Sequence, residues 1–154
     1  MITRRRVGAT IAFMAAVTFS LIILSWPNLP YYRQSALVDA SLKGKLSTMK
    51  FLLALGADAN DFECPNVRCL TPLVAAVEAN QTEAVRLLLT RGANVNKKLR
   101  RGQTALMFAS YKGNTELVRL LLSNAADPTA DCEGNTALSW AKEKGHAEIV
   151  NLLY

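Results

Sequence analysis

The sequence predicts an all-α protein: a solenoid of stacked, antiparallel helix pairs behind one N-terminal transmembrane helix. Two observations carry that prediction. A two-segment unit recurs along the chain from Arg33 to Tyr154. Ahead of it, the run from Val7 to Trp26 holds no charged residue.

Residues 1–6 form a basic tail holding Arg4, Arg5 and Arg6. Residues 7–26 follow as the membrane segment. Twenty apolar residues span about 30 Å as a helix, the thickness of the bilayer core. A cleaved secretory signal has a shorter apolar region ending at a small-x-small site. Ser20 and Ser25 are the best sites here, so secretion after cleavage stands as the alternative to an uncleaved anchor. Trp26, Tyr31 and Tyr32 suit the far interface as aromatic-belt residues. Pro27 and Pro30 mark residues 27–32 as a short spacer. The three arginines lie directly against the span, whereas Arg33, Lys43 and Lys45 lie further from its other end. Positive residues stay inside, which favours a cytoplasmic N-terminus and an exported repeat domain, periplasmic or extracellular. Gly8, Ala12, Ala16 and Ser20 recur at every fourth position, a spacing that lets two membrane helices approach and self-associate weakly. An alanine-rich span also makes such a stripe by composition alone.

The recurring unit is clearest from Gly102 to Pro128. Thr71-Pro72-Leu73 returns as Thr104-Ala105-Leu106 and Thr136-Ala137-Leu138, at steps of 33 and 32. Leu87-Leu88-Leu89 returns as Leu120-Leu121-Leu122. Gly56-Ala57-Asp58-Ala59-Asn60 returns as Gly92-Ala93-Asn94-Val95-Asn96 and Ala125-Ala126-Asp127-Pro128-Thr129. Each position has a physical task. Thr71, Thr104 and Thr136 suit helix N-caps, where a hydroxyl accepts from an orphan N–H. Pro72 then falls at the first helical position, where a missing N–H costs nothing. Leu73, Ala76 and Val77 line one face of a first helix; Val85, Leu88 and Leu89 line one face of a second. Gly56 and Gly92 suit left-handed helix ends. Helices of about ten residues cannot bury both faces alone, so the units must stack.

A period near 33 opened by Thr-Pro-Leu resembles the ankyrin repeat. The resemblance implies paired helices joined by β-hairpin loops, in repeats at about 33–60, 61–96, 97–129 and 130–154. The histidine expected after the opening tripeptide is replaced by Val74, Met107 and Ser139. Repeat one lacks the Thr-Pro start and reads as an N-terminal cap. Repeat four reads as an imperfect C-terminal cap.

The resemblance also implies a protein-binding surface on the hairpin tips and the concave face of the first helices. By motif this places Phe62, Arg68 and Glu78 in repeat two. In repeat three it places Lys98, Arg100, Arg101, Gln103, Tyr111 and Lys112, and in repeat four Glu133 and Glu143. Lys97 to Arg101 holds four cations, which suits an acidic partner; arginine pairs well with carboxylates. Leu99 adds an apolar group to that basic tip. A charge run of this kind is also what an ordinary solvated hairpin carries.

The hairpin entering repeat two is longer than the next, and Pro65-Asn66 suits its turn. Cys64 and Cys69 flank that turn, so an oxidising compartment would pair them as a disulfide. Cys132 lies two repeats away, beyond disulfide reach.

Other chemistry is not indicated. Residues 33–154 carry 15 basic and 12 acidic side chains, too even a balance to argue for nucleic acid. The sequence holds no G-x-S-x-G, phosphate-binding loop or H-E-x-x-H motif, and no cofactor or metal set. Its one histidine, His146, begins a second helix and reads as structural, and Trp140 reads as core. The expected function is therefore non-catalytic: a membrane-anchored module that binds a protein. Two alternatives use the same features. One is an inhibitor or immunity-type protein blocking an envelope or secreted enzyme; the other is a self-associating structural component of the membrane.

Overall fold

A computed structural model describes residues 29–61 and 69–154. The chain divides into two compact units, 1–32 and 33–154. Of the first, only the start of a helix falls among the described residues. The expected membrane segment 7–26 and its Gly8, Ala12, Ala16 and Ser20 stripe lie outside them, as do Phe62, Cys64 and Arg68. Among the described residues no helix is long and apolar enough to cross a membrane.

The described helices are α1 (Leu29–Leu42), α2 (Leu46–Ala54), α3 (Pro72–Glu78), α4 (Thr82–Thr90), α5 (Ala105–Lys112), α6 (Thr115–Ser123), α7 (Ala137–Glu143) and α8 (Ala147–Leu153). Helix α1 begins inside the stretch 27–32 expected as a spacer. Pro30 is tolerated there because the first-turn N–H groups have no intrahelical partner.

Each first helix of repeats two to four opens on its threonine. The Thr71, Thr104 and Thr136 hydroxyls accept from the amides of Val74, Met107 and Ser139. Ser139 returns the bond through its own side chain, closing a reciprocal cap. Pro72 occupies the first turn of α3. Val74 and Met107, which stand where histidine was expected, are buried in the core.

Within residues 33–154 the second helix of each repeat from two to four folds back on the first. First helices α3, α5 and α7 then pack in one layer, and second helices α2, α4, α6 and α8 in another. The core runs continuously between the layers through Leu37, Met49, Leu73, Val85, Leu88, Leu106, Met107, Leu117, Leu121 and Ile149. Burying a side chain of this size contributes about 1.5–3 kcal/mol, so the stack rests on these faces rather than on short-helix propensity.

Polar groups set the register between repeats. Asn60 donates to the carbonyl of Gly92 at 3.0 Å and accepts from the amide of Asn94. Asn96 repeats this one unit on, donating to the Ala125 carbonyl at 2.9 Å and accepting from the Asp127 amide at 2.8 Å. Along the second helices, Arg86 pairs with Glu116 and Arg119 with Glu148, both at 3.4 Å. Those pairs are solvated, and each is worth about 0–1 kcal/mol.

The loops entering repeats three and four are tighter than the expected β-hairpins. Among the described residues no strand forms, and pairing is reduced to single turns. Cys132 and Asn135 exchange two backbone bonds of 2.9 Å around Glu133 and Gly134, whose φ angles are 53° and 80°. Two positive φ values in succession are the type I′ geometry that matches strand twist in the shortest hairpins. One residue pair satisfies the loop because stacked neighbours, not a ladder, hold it in place.

Candidate binding surface

The turn entering repeat three is built from Leu99 to Gln103. The Leu99 amide donates to the Gln103 carbonyl at 2.8 Å, and the Gly102 amide to the Leu99 carbonyl at 2.9 Å. Gly102 has a φ of 91°, so the chain reverses where a side chain would be strained. The reversal sends Arg100 and Arg101 into solvent and Leu99 the other way. Leu99 was expected to enrich the tip with an apolar group. It is instead buried with the core, because a leucine at this turn gains more by packing inward than by standing in water.

The turn walls a cleft of about 660 Å³, bounded by Cys69, Leu70, Glu78, Leu99, Arg100, Arg101, Gln103 and Phe108. Leu70, Leu99 and Phe108 supply an apolar lining. Glu78, at the last position of α3, and the three polar side chains of the turn supply the rest. A guanidinium nitrogen of Arg100 stands 4.0 Å from the sulfur of Cys69. The lining is somewhat more polar than apolar and the cleft stands half open to solvent, which suits side chains of a partner better than an enclosed small ligand.

Phe108 also belongs to an aromatic row. Its ring meets Trp140 edge to face at 6.1 Å, and Trp140 meets Tyr111 likewise at 5.9 Å. Such pairs contribute about 0.5–1.5 kcal/mol beyond burial. Lys144 places its ammonium 4.6 Å from the centre of the Tyr111 ring and 2.9 Å from Glu143. The lysine is held above the ordinary lysine range, first by its bond to Glu143 and then by Tyr111. The row thus ends in a fixed cation.

Glu78, Arg100, Arg101 and Gln103 therefore share one cleft, and Tyr111 and Glu143 share the aromatic row. Lys98, Lys112 and Glu133 are exposed apart from both. Lys112 closes α5, where a cation suits the helix dipole. Trp140, expected in the core, is half-buried against it, as is Phe108, which the sequence reading did not single out. Phe108 precedes Tyr111 by three residues on a helix, so a place for Tyr111 on the binding face already implied one for Phe108. His146 caps the approach to α8, its Nε2 lying 3.2 Å from the Tyr111 carbonyl. Cys132 is a free, buried thiol whose sulfur lies 2.9 Å from the Arg101 carbonyl, tying repeat four to the basic turn. Among the described residues no cluster of histidine, cysteine or carboxylate side chains is arranged to hold a metal ion.

Residues 27–99 and 73–154 match the family described as Ankyrin repeats (3 copies). Among similar proteins, Ankyrin repeat and KH domain-containing protein mask-1 of Caenorhabditis elegans is 39% identical over 94 residues, covering 60% of this chain and 3% of that protein. The B-cell lymphoma 3 protein homolog of Mus musculus is 39% identical over 97 residues, covering 63% of this chain and 21% of that protein. Ankyrin repeat domain-containing protein 63 of Homo sapiens is 36% identical over 97 residues, covering 60% and 25%. The chain thus spans a quarter or less of the length of these relatives.

Proposed function

This chain belongs to the ankyrin-repeat family, and from that premise we propose that it is a membrane-anchored, non-catalytic module binding a protein partner through the cleft of repeats two and three. Ankyrin repeats are protein–protein interaction modules. The observation that carries the choice of surface is convergence: Glu78 of repeat two and Arg100, Arg101 and Gln103 of repeat three, named from two separate stretches of sequence, border one cleft. Its apolar side chains, Leu70 and Phe108, suit contact with an aliphatic or aromatic side chain. Its two arginines suit a carboxylate beside that side chain, since arginine pairs with carboxylates through two parallel bonds.

The anchor is the uncharged run 7–26, and the proposed orientation exports the repeats. A disulfide between Cys64 and Cys69 belongs to the same reading. It is supported by the spacing of the pair and by Cys132 being the thiol that is free among the described residues. Weak self-association along Gly8, Ala12, Ala16 and Ser20 would double the number of clefts at one membrane site.

Fusing a reporter active only outside the cytoplasm to Tyr154, and separately one active only inside it, tests the anchor. The exported reporter should be active and should sediment with membranes. Activity of the cytoplasmic reporter alone would reverse the orientation, and an exported reporter in the soluble fraction would mean cleavage.

A further inference from the structure

Repeat one meets the end of the solenoid with an unexpected outer face. A terminal repeat needs a polar outer face, because no neighbour covers it. Helices α4, α6 and α8 each carry a glutamate in the first turn, Glu83, Glu116 and Glu148. Helix α2 carries none; Ser47 stands in that place. Phe51 aligns with Leu87 and Leu120, which are half-buried, yet Phe51 is 62% exposed. Leu55 aligns with Arg91 and Asn124, so an apolar side chain replaces two polar ones, and it is 45% exposed. Phe51 and Leu55 are four residues apart and share one face. Lys45 and Lys50, both exposed, flank them in sequence. The first repeat thus exposes an apolar pair where a cap is normally polar; beside it Lys50 keeps the cation that α4 and α6 carry as Arg86 and Arg119, and Lys45 replaces Gln81 and Asn114.

Arg33 donates its guanidinium to the Leu55 carbonyl, which sets the C-terminal end of α2 beside the Arg33 turn of α1. Arg33 follows Trp26, where the uncharged run ends, by only two helical turns of sequence. Lysines beside an exposed apolar pair complement an anionic lipid surface, which attracts each nearby cation by about 1 kcal/mol.

We propose that the outer face of repeat one, Phe51 and Leu55 with Lys45 and Lys50, docks on the anionic surface of the membrane that the N-terminal run enters. The proposal rests on the anchored reading. It would hold the array at a fixed tilt, instead of leaving it on a free tether.

Tryptophan fluorescence of the full chain in vesicles with brominated acyl chains tests it, using phosphatidylcholine with or without phosphatidylglycerol. Carried in a Trp140→Phe background, the chain reports the anchor through Trp26 alone. Phe51→Trp adds a probe on the proposed face, and Tyr154→Trp adds one at the last residue, itself 87% exposed. The emission added by Phe51→Trp should be blue-shifted and quenched at a depth of about 5–10 Å; that added by Tyr154→Trp should be neither. Removing phosphatidylglycerol, or replacing Lys45 and Lys50 with glutamine, should lower the docked-to-undocked ratio by about fivefold per lysine. Equal quenching of the two added probes overturns the proposal. A blue shift without quenching also overturns it, showing that protein covers the face, whether a second copy or the chain's own N-terminal residues. If the chain fails to float with vesicles, the anchor falls and the docking with it. If it floats with Trp26 quenched while the Phe51→Trp probe is not, the docking alone falls.

Discussion

Asn96 reaches across to the next repeat and donates its side-chain amide to the carbonyl of Ala125 at 2.9 Å. The same side chain accepts from the Asp127 amide at 2.8 Å. Two backbone groups of one repeat are thus satisfied by one side chain of the repeat before it. Neutral hydrogen bonds contribute about 0.5–1.5 kcal/mol each, less where water can substitute. Asn96→Ala should therefore destabilise the array by about 1–2 kcal/mol, read as a lower midpoint in urea with an unchanged slope. A change below the error of the measurement would mean that water replaces both bonds.

Ala125 offers a test of the opposite sign. It closes the second helix of repeat three with a φ of 62°, where Gly56 and Gly92 close the preceding ones at 85° and 81°. A left-handed conformation costs a residue with a side chain about 1–2 kcal/mol. Ala125→Gly should raise the thermal midpoint by recovering about 1 kcal/mol of that strain, and Gly92→Ala should lower it. If both substitutions lower the midpoint, flexibility in the unfolded chain outweighs the strain.

The three cysteines should separate by reactivity. Burial pushes the Cys132 thiol above its ordinary value, and the carboxylates of Glu133 and Asp131 add to the shift. A buried, protonated thiol reacts slowly. In native, non-reduced protein, alkylation followed by mass spectrometry should modify Cys132 only after unfolding and leave Cys64 and Cys69 unmodified as a linked pair. Alkylation of Cys64 and Cys69 without a reductant would remove the disulfide from the account. The Cys132 shift also has a pH sign. The folded value lies above the unfolded one, so its contribution to stability is complete at neutral pH. That contribution should fall as pH rises above about 9.

The sequence foretold the stack because its signals are local. A threonine before an apolar face, a proline at the first helical position and a Leu-Leu-Leu run each act within one turn or two. Leu99 was misjudged because burial depends on which way the turn swings, and Gly102 decides that by taking a positive φ. The aromatic row was not legible for a different reason. Phe108 and Trp140 belong to different repeats and meet only because α5 stacks on α7. Arg100, Arg101 and Gln103 were legible from charge and hairpin position, but their shared cleft with Glu78 requires the packing of two repeats. Phe62, Cys64 and Arg68, also named from the long hairpin, lie outside the described residues.

Exposed charges at an interface act through a field that salt screens, with a Debye length of about 8–10 Å at moderate ionic strength. Partner recovery should accordingly fall between low and high salt in the native chain, and fall much less once Arg100 and Arg101 are replaced by glutamine. Equal salt dependence in both would place the electrostatic contact elsewhere, with the exposed Lys98 and Lys112 of that repeat the next to examine.

The most direct test of the binding surface is affinity capture from solubilised membranes with the full chain, comparing native protein with Arg100→Glu/Arg101→Glu. Both side chains are solvent-exposed, so folding should be unaffected, and circular dichroism with an unchanged thermal midpoint would establish that. Reversing two charges that face a carboxylate costs several kcal/mol, and about 1.4 kcal/mol corresponds to tenfold in affinity. The account predicts a partner recovered at stoichiometric yield by the native chain and reduced by about tenfold or more in the variant. Unchanged recovery by a folded variant would contradict it.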